Sequence, residues 1–168
     1  MLPEMVSEGK VTKNVKRKLF NYYEQACKLD VDAILHQCVI AGNVALELND
    51  YFDVPIVRID EGMLRKALAT SNNIAIFATV KAAMSQSVAY LKMLADQEQK
   101  SINIKEYLVT KDDIAVQAKN ASDNNEIIVL AQPSMTSFLP LLEAENIHAL
   151  SAPESGIEYL AKILDSKQ

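Results

Sequence analysis

The chain has 168 residues, of which 49% are hydrophobic and 23% are charged. This composition is typical of a globular protein and excludes intrinsic disorder and collagen-like or low-complexity architectures. The net charge of −5, the aromatic content of 6% and the absence of tryptophan argue against a nucleic-acid partner, because basic patches and stacking aromatic residues mark such binders.

The N-terminal ten residues are polar and acidic and lack the apolar segment of a secretory leader. No apolar stretch approaches the roughly 20 residues that span a bilayer. We therefore expect a cytoplasmic protein without a membrane partner. Thr12 is suited to cap a helix, and apolar residues from Val15 to Leu29 recur at helical spacing, so the first predicted helix begins here.

Short apolar runs bounded by polar residues alternate with helical periodicities along the rest of the chain. Continuous apolar runs are typical of strands buried on both faces of a parallel sheet. The runs predict strands at 33–38, 54–59, 74–78, 104–109, 127–131 and 147–150, with helices at 44–48, 63–68, 88–94, 114–121, 135–142 and 157–164. Ser151-x-x-Glu154, with Pro153 inside it, predicts a capped start for the last helix. The alternation predicts an α/β fold.

Three predicted strands end in a turn of small or polar residues that leads into a helix. The turns contain Cys38, Thr79 and the pair Gln132 and Ser134. Ligands bind at the carboxyl ends of parallel strands, and a helix N-terminus favours an anion such as a carboxylate. These four residues are therefore candidates for a binding site, although tight turns between strand and helix also require small residues.

The cysteines and histidines are few and form no recognisable metal-ligand spacing or disulfide framework. Cys27 lies inside the first amphipathic helix, which favours a packing role. His36 precedes Cys38 by two residues, so both side chains can share one face of a strand. His36 is a candidate modulator of the thiol, and a buried core histidine fits the same pattern. With only four glycines, the chain contains no nucleotide-binding glycine motif. No metal or cofactor is expected.

Four segments are similar, in order and spacing, to the motifs of one family. They are 32–42, a strand that ends in a cysteine; 54–61, a strand and a helix start; 74–79, a strand ending in Ala-Thr; and 127–135, a strand followed by Gln-Pro-Ser-Met. Over about residues 2 to 164 the chain resembles the aspartate/glutamate (Asp/Glu/hydantoin) racemase superfamily.

The resemblance implies two small pseudo-symmetric lobes, each a parallel sheet flanked by helices, with the active site between them. It assigns residues 1–68 plus 151–168 to a first lobe and residues 69–150 to a second. The family opens with a strand that precedes the matched segments, and its second lobe is longer around 109–125, so the chain is expected to be shortened at both places. A lobe without its first strand exposes a sheet edge, which predicts a homo-oligomer or disorder near the N-terminus.

The resemblance also implies cofactor-independent proton transfer at the carbon α to a carboxylate of a small acid or amino acid of the aspartate or glutamate type. Family members use two cysteine thiols on opposite faces of the substrate. Cys38 matches the first catalytic cysteine, and Thr79 matches a threonine that helps hold the carboxylate. Gln132 stands where racemases have the second cysteine, and Ser134 belongs to a Gln-x-Ser-Met version of that motif.

The glutamine at position 132 cannot act as an acid or base at neutral pH. The expected chemistry is therefore that of a racemase/isomerase-type protein with one thiol, as in the maleate isomerases and arylmalonate decarboxylases of the superfamily. The alternative is a catalytically degenerate module that binds a small carboxylate or a partner subunit. Apolar residues where polar contacts are expected favour this alternative: Val39, Ile40, Ala82 and Ala83. A flavodoxin-like or response-regulator-like domain is a weaker third interpretation, since no acidic cluster follows the first strand.

Overall fold

The structure, a computed structural model, describes residues 1–8 and 10–166. Its helices are α1 (Leu2–Glu8), α2 (Lys13–Cys27), α3 (Gly42–Asn49), α4 (Glu61–Thr70), α5 (Lys81–Gln97), α6 (Ile114–Asp123), α7 (Leu139–Ala144) and α8 (Ala152–Asp165). Its strands are β1 (Ile34–His36), β2 (Ile56–Arg58), β3 (Asn73–Ala78), β4 (Asn103–Leu108), β5 (Ile127–Leu130) and β6 (Ala149–Ser151). Each predicted strand is present, and the α/β prediction is confirmed.

The strands form two sheets in which every neighbouring pair is parallel. In the smaller sheet β1 pairs with β2, and His36 lies opposite Arg58. The larger sheet has the order β4-β3-β5-β6. Parallel neighbours require crossover connections, which the helices between the strands supply. The prediction of two lobes with parallel sheets flanked by helices is confirmed.

The central strands of the larger sheet are buried on both faces, which explains their uninterrupted apolar sequence. On one face Ile74, Ile76 and Val129 join a core that extends to the smaller sheet. On the other face Phe77 and Leu130 belong to a second core that includes helix α6. By contrast β4 lies at an edge and is largely exposed, so its apolar pattern is weaker.

The two lobes meet through helices α4 and α5. Helix α4 packs against α8 and β5, and α5 packs against both β3 and the 3₁₀ turn Val39–Ala41 that follows β1. The turn after β1 contacts the helix that follows β3. The turns after β1 and β3, two of the three predicted ligand-binding turns, are therefore brought to one region. The lobe boundaries at residues 68 and 151 stay a prediction.

Two helix starts were predicted from capping residues, and the structure shows a capping hydrogen bond at one of them. The Thr12 hydroxyl accepts a hydrogen bond from the Val15 N–H at 3.2 Å, so the predicted cap is confirmed. Ser151 occupies the N-cap position of α8, but its side chain makes no capping hydrogen bond within the described residues, and the predicted capping box is wrong. Pro153 removes one of the N–H groups that a cap would satisfy.

Two further segments differ from the predicted elements. Residues 2–8 form helix α1, which the sequence pattern did not predict, and its Met5 is buried. The helix predicted at 135–142 is a 3₁₀ helix, Pro133–Phe138, followed by α7. Pro140 has no N–H to donate to the Thr136 carbonyl, which accepts instead from Leu139, so α-helical bonding cannot run through this point. Across residues 1–8 and 10–166, no helix is long and apolar enough to cross a membrane.

Candidate functional site

Cys38 lies directly after β1, at the residue that begins the 3₁₀ turn Val39–Ala41. The cysteine is half-buried and, like Cys27, it is a free thiol. Its carbonyl accepts a hydrogen bond from the Ala41 N–H at 3.0 Å, which closes the turn. Val39 and Ile40 are buried, so the apolar residues after the cysteine contribute to the core.

His36 contacts the backbone of Cys38. Its Nε2 lies 2.9 Å from the Cys38 carbonyl oxygen, and its Nδ1 lies 2.6 Å from the Tyr23 hydroxyl. A carbonyl oxygen can only accept, so Nε2 carries the proton and Nδ1 accepts from Tyr23. Both ring nitrogens are therefore engaged, and His36 contacts the turn through the Cys38 backbone.

The buried position of this pair explains its protonation. Burial lowers the pKa of His36; the bond to the Cys38 carbonyl opposes this, the positive charge of Arg58 lowers the pKa further, and the negative charge of Asp60 raises it. Burial also raises the pKa of the Tyr23 phenol, with a further rise from negative charge on Cys38. Tyr23 and His36 are therefore neutral near pH 7, as their mutual hydrogen bond requires.

Thr79 and Gln132 meet at the carboxyl ends of the neighbouring strands β3 and β5. The Thr79 N–H and hydroxyl both donate to the Gln132 Oε1, at 2.7 and 3.0 Å. Because a backbone N–H only donates, the group that faces it is the amide oxygen, and the Gln132 NH₂ faces away. The pair thus leaves an amide donor at the strand ends, where ligands bind in parallel sheets.

Ser134 is not brought into this contact. It is exposed within the 3₁₀ helix Pro133–Phe138, and its carbonyl accepts from the Ser137 hydroxyl at 3.1 Å. Of the predicted second-lobe residues, the structure therefore joins Thr79 and Gln132 and leaves Ser134 beside them on the surface.

A cavity of about 420 Å³ opens between the turn after Cys38 and the first turns of α5. Its wall contains residues from both lobes and from the segment before α2: Lys10, Val11, Ile40, Val80, Lys81, Ala82, Ser85 and Gln86. Cys38 and Thr79 are not in the wall themselves. They precede the lining residues Ile40 and Val80 by two residues and one residue.

The cavity wall contains polar groups that are only partly paired within the described residues. Lys10 and Lys81 supply positive charge, and in the part of the chain that the structure describes the N-cap residue of α5, Val80, makes no side-chain capping hydrogen bond. The Oε1 atom of Gln86 is buried without a hydrogen-bond partner among the described residues. A buried acceptor without a partner lowers the stability of the fold by about 1–3 kcal/mol. A hydrogen bond from a ligand N–H to this oxygen would therefore be favourable.

Behind the Cys38 turn lies a fully buried ion pair. The Arg58 guanidinium donates two hydrogen bonds to the Asp60 carboxylate, from Nε at 2.9 Å and from Nη2 at 2.7 Å. It also donates to the Asn43 side chain at 3.1 Å and stacks on the Tyr90 ring, with 3.9 Å from Cζ to the centroid. Since Tyr90 belongs to α5, this cation links the first sheet to the helix that lines the cavity.

Several of these residues were not predicted from the sequence. Tyr23 fitted the helical periodicity of the first predicted helix, which gave no sign of its hydrogen bond. Asp60 stands at the N-cap position of α4, where it makes no cap hydrogen bond in the described residues, and it pairs with Arg58. A charged residue inside the apolar run 54–59 was a signal for this pair, because a buried charge requires a partner.

Within the described residues, no group of three or more His, Cys, Asp or Glu side chains is arranged to hold a metal ion.

Comparisons with known proteins place the fold. No family model matches the sequence, and no curated protein matches it. Among solved structures, the chain is similar to glutamate racemase isoform RacE1 from Bacillus anthracis, with a TM-score of 0.63 and 20% identity over 92% of this chain and 66% of that one. It is also similar to the glutamate racemase from Francisella tularensis subsp. tularensis SCHU S4 in complex with D-glutamate, with a TM-score of 0.63 and 13% identity over 95% of this chain and 67% of that one.

The chain thus spans about two thirds of the length of either racemase structure. Identity at this level carries the fold and not the activity. The two-lobed arrangement of parallel sheets, the turn after β1 and the ends of β3 and β5 therefore belong to an aspartate/glutamate racemase-like fold.

Proposed function

We propose that this protein binds a small carboxylic acid, such as an amino acid of the aspartate or glutamate type, in the cavity between its lobes. We further propose that Cys38 performs cofactor-independent, one-thiol proton transfer at the carbon α to the carboxylate. The observation that carries the proposal is the Thr79–Gln132 contact at the strand ends, on a fold that in one similar structure holds D-glutamate.

The polar groups around the cavity favour a ligand with both a carboxylate and an ammonium group. Lys10 and Lys81 in the cavity wall attract a carboxylate, and the Gln132 NH₂ is a further donor at the ends of β3 and β5. The unpaired Gln86 Oε1 is suited to accept a hydrogen bond from the ammonium. The second-lobe residues Thr79, Gln132 and Ser134 are accordingly proposed as ligand-binding residues.

The proposed reaction uses Cys38 as the single base. Its thiolate takes the α-proton, and the electron pair of the C–H bond moves into the carboxylate to give an enediolate, which the Gln132 amide would stabilise by hydrogen bonding. Gln132 has no proton to return from the opposite face. The Cys38 thiol exchanges its proton with solvent and returns a proton to the face that lost one, so exchange with retention of configuration is favoured over racemisation.

The test is α-proton exchange in deuterated water with D- and L-aspartate and D- and L-glutamate. The expected result is deuterium incorporation without inversion, lost in Cys38→Ala and kept in the matched control Cys27→Ala. An absence of exchange with every acid, together with an unchanged Cys38→Ala variant, would overturn the enzymatic proposal. Exchange accompanied by inversion would mean that a second acid acts in place of Gln132.

The second candidate function is a small-acid binding module without catalysis. The burial of Val39 and Ile40 favours it, because these residues pack in the core beside Cys38 and offer a ligand no polar contact. Ala83 is also buried, in the first turn of α5. A ligand-dependent rise in Tm without α-proton exchange would select this function, since a ligand that binds the folded state raises its stability whether or not it reacts.

The proposal places the protein in the cytoplasm as a homo-oligomer. Two free thiols are typical of a reducing compartment. In the described residues β1 pairs on one side alone, with β2, so its other edge is available for self-association. Sedimentation measures the oligomeric state, and a monomer at all concentrations would contradict self-association while leaving the ligand proposal intact.

A further inference from the structure

We propose that Tyr23 and His36 are positioning residues for Cys38: Tyr23 holds the His36 ring in its Nε2–H tautomer, and His36 in turn holds the carbonyl of Cys38. The inference rests on the proposed function for the importance of the thiol. Its structural content, a fixed imidazole that orders the turn, is independent of any reaction.

The two hydrogen bonds of the His36 ring run in a defined direction. The Tyr23 hydroxyl donates to Nδ1 over 2.6 Å, and Nε2–H donates to the Cys38 oxygen over 2.9 Å. If Nδ1 carried the proton, the unprotonated Nε2 would face the Cys38 carbonyl oxygen, and no hydrogen bond could form between them. The Cys38 carbonyl therefore selects the Nε2–H tautomer, and the hydrogen bond that the Tyr23 hydroxyl donates to Nδ1 stabilises it.

Burial and ring packing hold Tyr23 and His36 in place. Tyr23 is 4% exposed and His36 is 5% exposed, and the two rings pack edge to face with their centroids 6.0 Å apart. Tyr23 belongs to α2, and His36 is the last residue of β1. The imidazole is thus fixed by two different elements, and it does not depend on the turn that it supports.

The His36 hydrogen bond acts on the turn that follows β1. The Cys38 carbonyl accepts from both His36 and the Ala41 N–H, so two donors hold one peptide group. The backbone of Cys38 determines the direction of its side chain, and the next peptide leads to Ile40 in the cavity wall. Loss of the His36 donor would leave Ala41 to hold this carbonyl and would loosen the half-buried thiol.

The experiment combines imidazole ¹⁵N NMR with alkylation of Cys38 by iodoacetamide, followed by mass spectrometry of each cysteine. The wild type should show His36 with a protonated Nε2. In Tyr23→Phe the preference for a protonated Nε2 should weaken, because Nδ1 loses its donor, and Cys38 should be alkylated about five-fold faster, which is the effect of weakening one hydrogen bond. The matched control Tyr22→Phe, at an exposed neighbour in the same helix, should match the wild type in both measurements.

A conservative variant separates positioning from general stability. His36→Gln keeps an N–H donor for the Cys38 carbonyl and should restore an alkylation rate within about two-fold of the wild type. His36→Leu removes the donor and should behave like Tyr23→Phe or more strongly. The alkylation rate of Cys27 is the internal control, because overall loosening would raise it in parallel.

Three results would overturn the inference: an Nδ1–H tautomer in the wild type, an unchanged Cys38 rate in Tyr23→Phe, or equal increases at Cys27 and Cys38. None of these measurements requires a substrate. A protein without α-proton exchange that still shows the tautomer and the Cys38-specific effect would contradict the proposed function and uphold the positioning role.

Discussion

The strand ends on the two sides of the cavity satisfy their polar groups in different ways. On the first-lobe side His36, Arg58 and Asp60 are almost completely buried, and each has hydrogen-bond partners inside the protein. On the second-lobe side Thr79 is exposed and Gln132 half-buried, and they bond to each other at the surface. Buried polar groups are costly to leave unpaired, whereas exposed ones exchange partners with water at little cost.

This difference suggests a division of roles. The first-lobe side is rigid and holds the Cys38 turn, and the second-lobe side offers donors that a ligand can use without breaking buried bonds. Substitutions on the first side should therefore lower the free energy of unfolding, and those on the second should change ligand affinity with little effect on stability.

The largest effect is expected for Arg58→Ala. The variant leaves the Asp60 carboxylate buried without its cation, and breaking such a pair costs about 3–5 kcal/mol. Urea unfolding measures the loss. The matched control is Lys16→Ala, which removes an exposed ion pair with Glu47 and should cost at most about 1 kcal/mol. A loss for Arg58→Ala no larger than that of the control would mean that the first-lobe side is not the rigid one.

A smaller loss is expected for Gly42→Ala, at the start of α3. A Cβ atom at this glycine would lie 2.5 Å from Cζ of Arg58 and 2.7 Å from its Nε and Nη2. The backbone itself tolerates alanine, since φ at Gly42 is −56°, so the expected cost of about 1–3 kcal/mol comes from displacing the guanidinium.

A double-mutant cycle in urea tests this cause. In an Arg58→Met background, the flexible side chain can move aside and the added cost of Gly42→Ala should shrink. Equal costs in both backgrounds would assign the effect to something other than the guanidinium.

The pH dependence of stability should report on His36. Because burial lowers its pKa in the folded state, folding favours the neutral ring. Its contribution to stability is therefore present above the unfolded pKa of about 6.5 and is lost as the pH falls from there towards the lower folded value. Urea unfolding between about pH 5 and pH 8 should show a steeper acid loss for the wild type than for His36→Gln.

The control for this measurement is His148→Gln, because His148 is exposed. This variant should follow the wild-type pH profile. If it removed the acid loss and His36→Gln did not, the buried ring would not be the group that senses pH.

The smallest effect on stability is expected for Thr79→Val, within about 0.5 kcal/mol of the wild type, because the lost hydroxyl is exposed. The backbone N–H of residue 79 can still hold the Gln132 oxygen. Ligand affinity, measured by the ligand-dependent rise in Tm, should fall about five-fold through the loss of one hydrogen-bonding group.

Thr70→Val serves as the control, since Thr70 donates to the Lys66 carbonyl at the end of α4 and should change neither quantity. A large loss of stability in Thr79→Val with unchanged affinity would reverse the contrast between the two sides of the cavity.

Local sequence patterns were sufficient for most of the secondary structure and for the general location of the site. The buried strands β3 and β5 have apolar residues on both faces, so their continuous runs are distinctive. Cys38, Thr79 and Gln132 were predicted at strand ends because the topology of a parallel sheet brings such turns together. The 3₁₀ helix at Pro133–Phe138 was missed because proline acts at a single position inside a pattern that is otherwise helical.

The contacts between distant residues could not be predicted. Tyr23 and His36 are 13 residues apart, and Thr79 and Gln132 are 53 apart. Each residue has an unremarkable local context, and the hydrogen bonds arise when separate elements pack. The same holds for Gln86, whose side-chain oxygen lacks a partner among the described residues because of the neighbours that fold around it.

The sequence by itself determined the α/β class, the order along the chain of the six strands and of the helices after α1, and the turns in which chemistry could occur, because apolar periodicity and turn chemistry are local properties. Only the tertiary structure decided that His36 bonds the Cys38 carbonyl, that Asp60 pairs with Arg58 instead of capping a helix, and that Ser134 stands apart from Thr79 and Gln132. The reason is physical: a buried polar group takes whichever partner the packed elements bring within about 3 Å, and that partner is set by geometry in three dimensions.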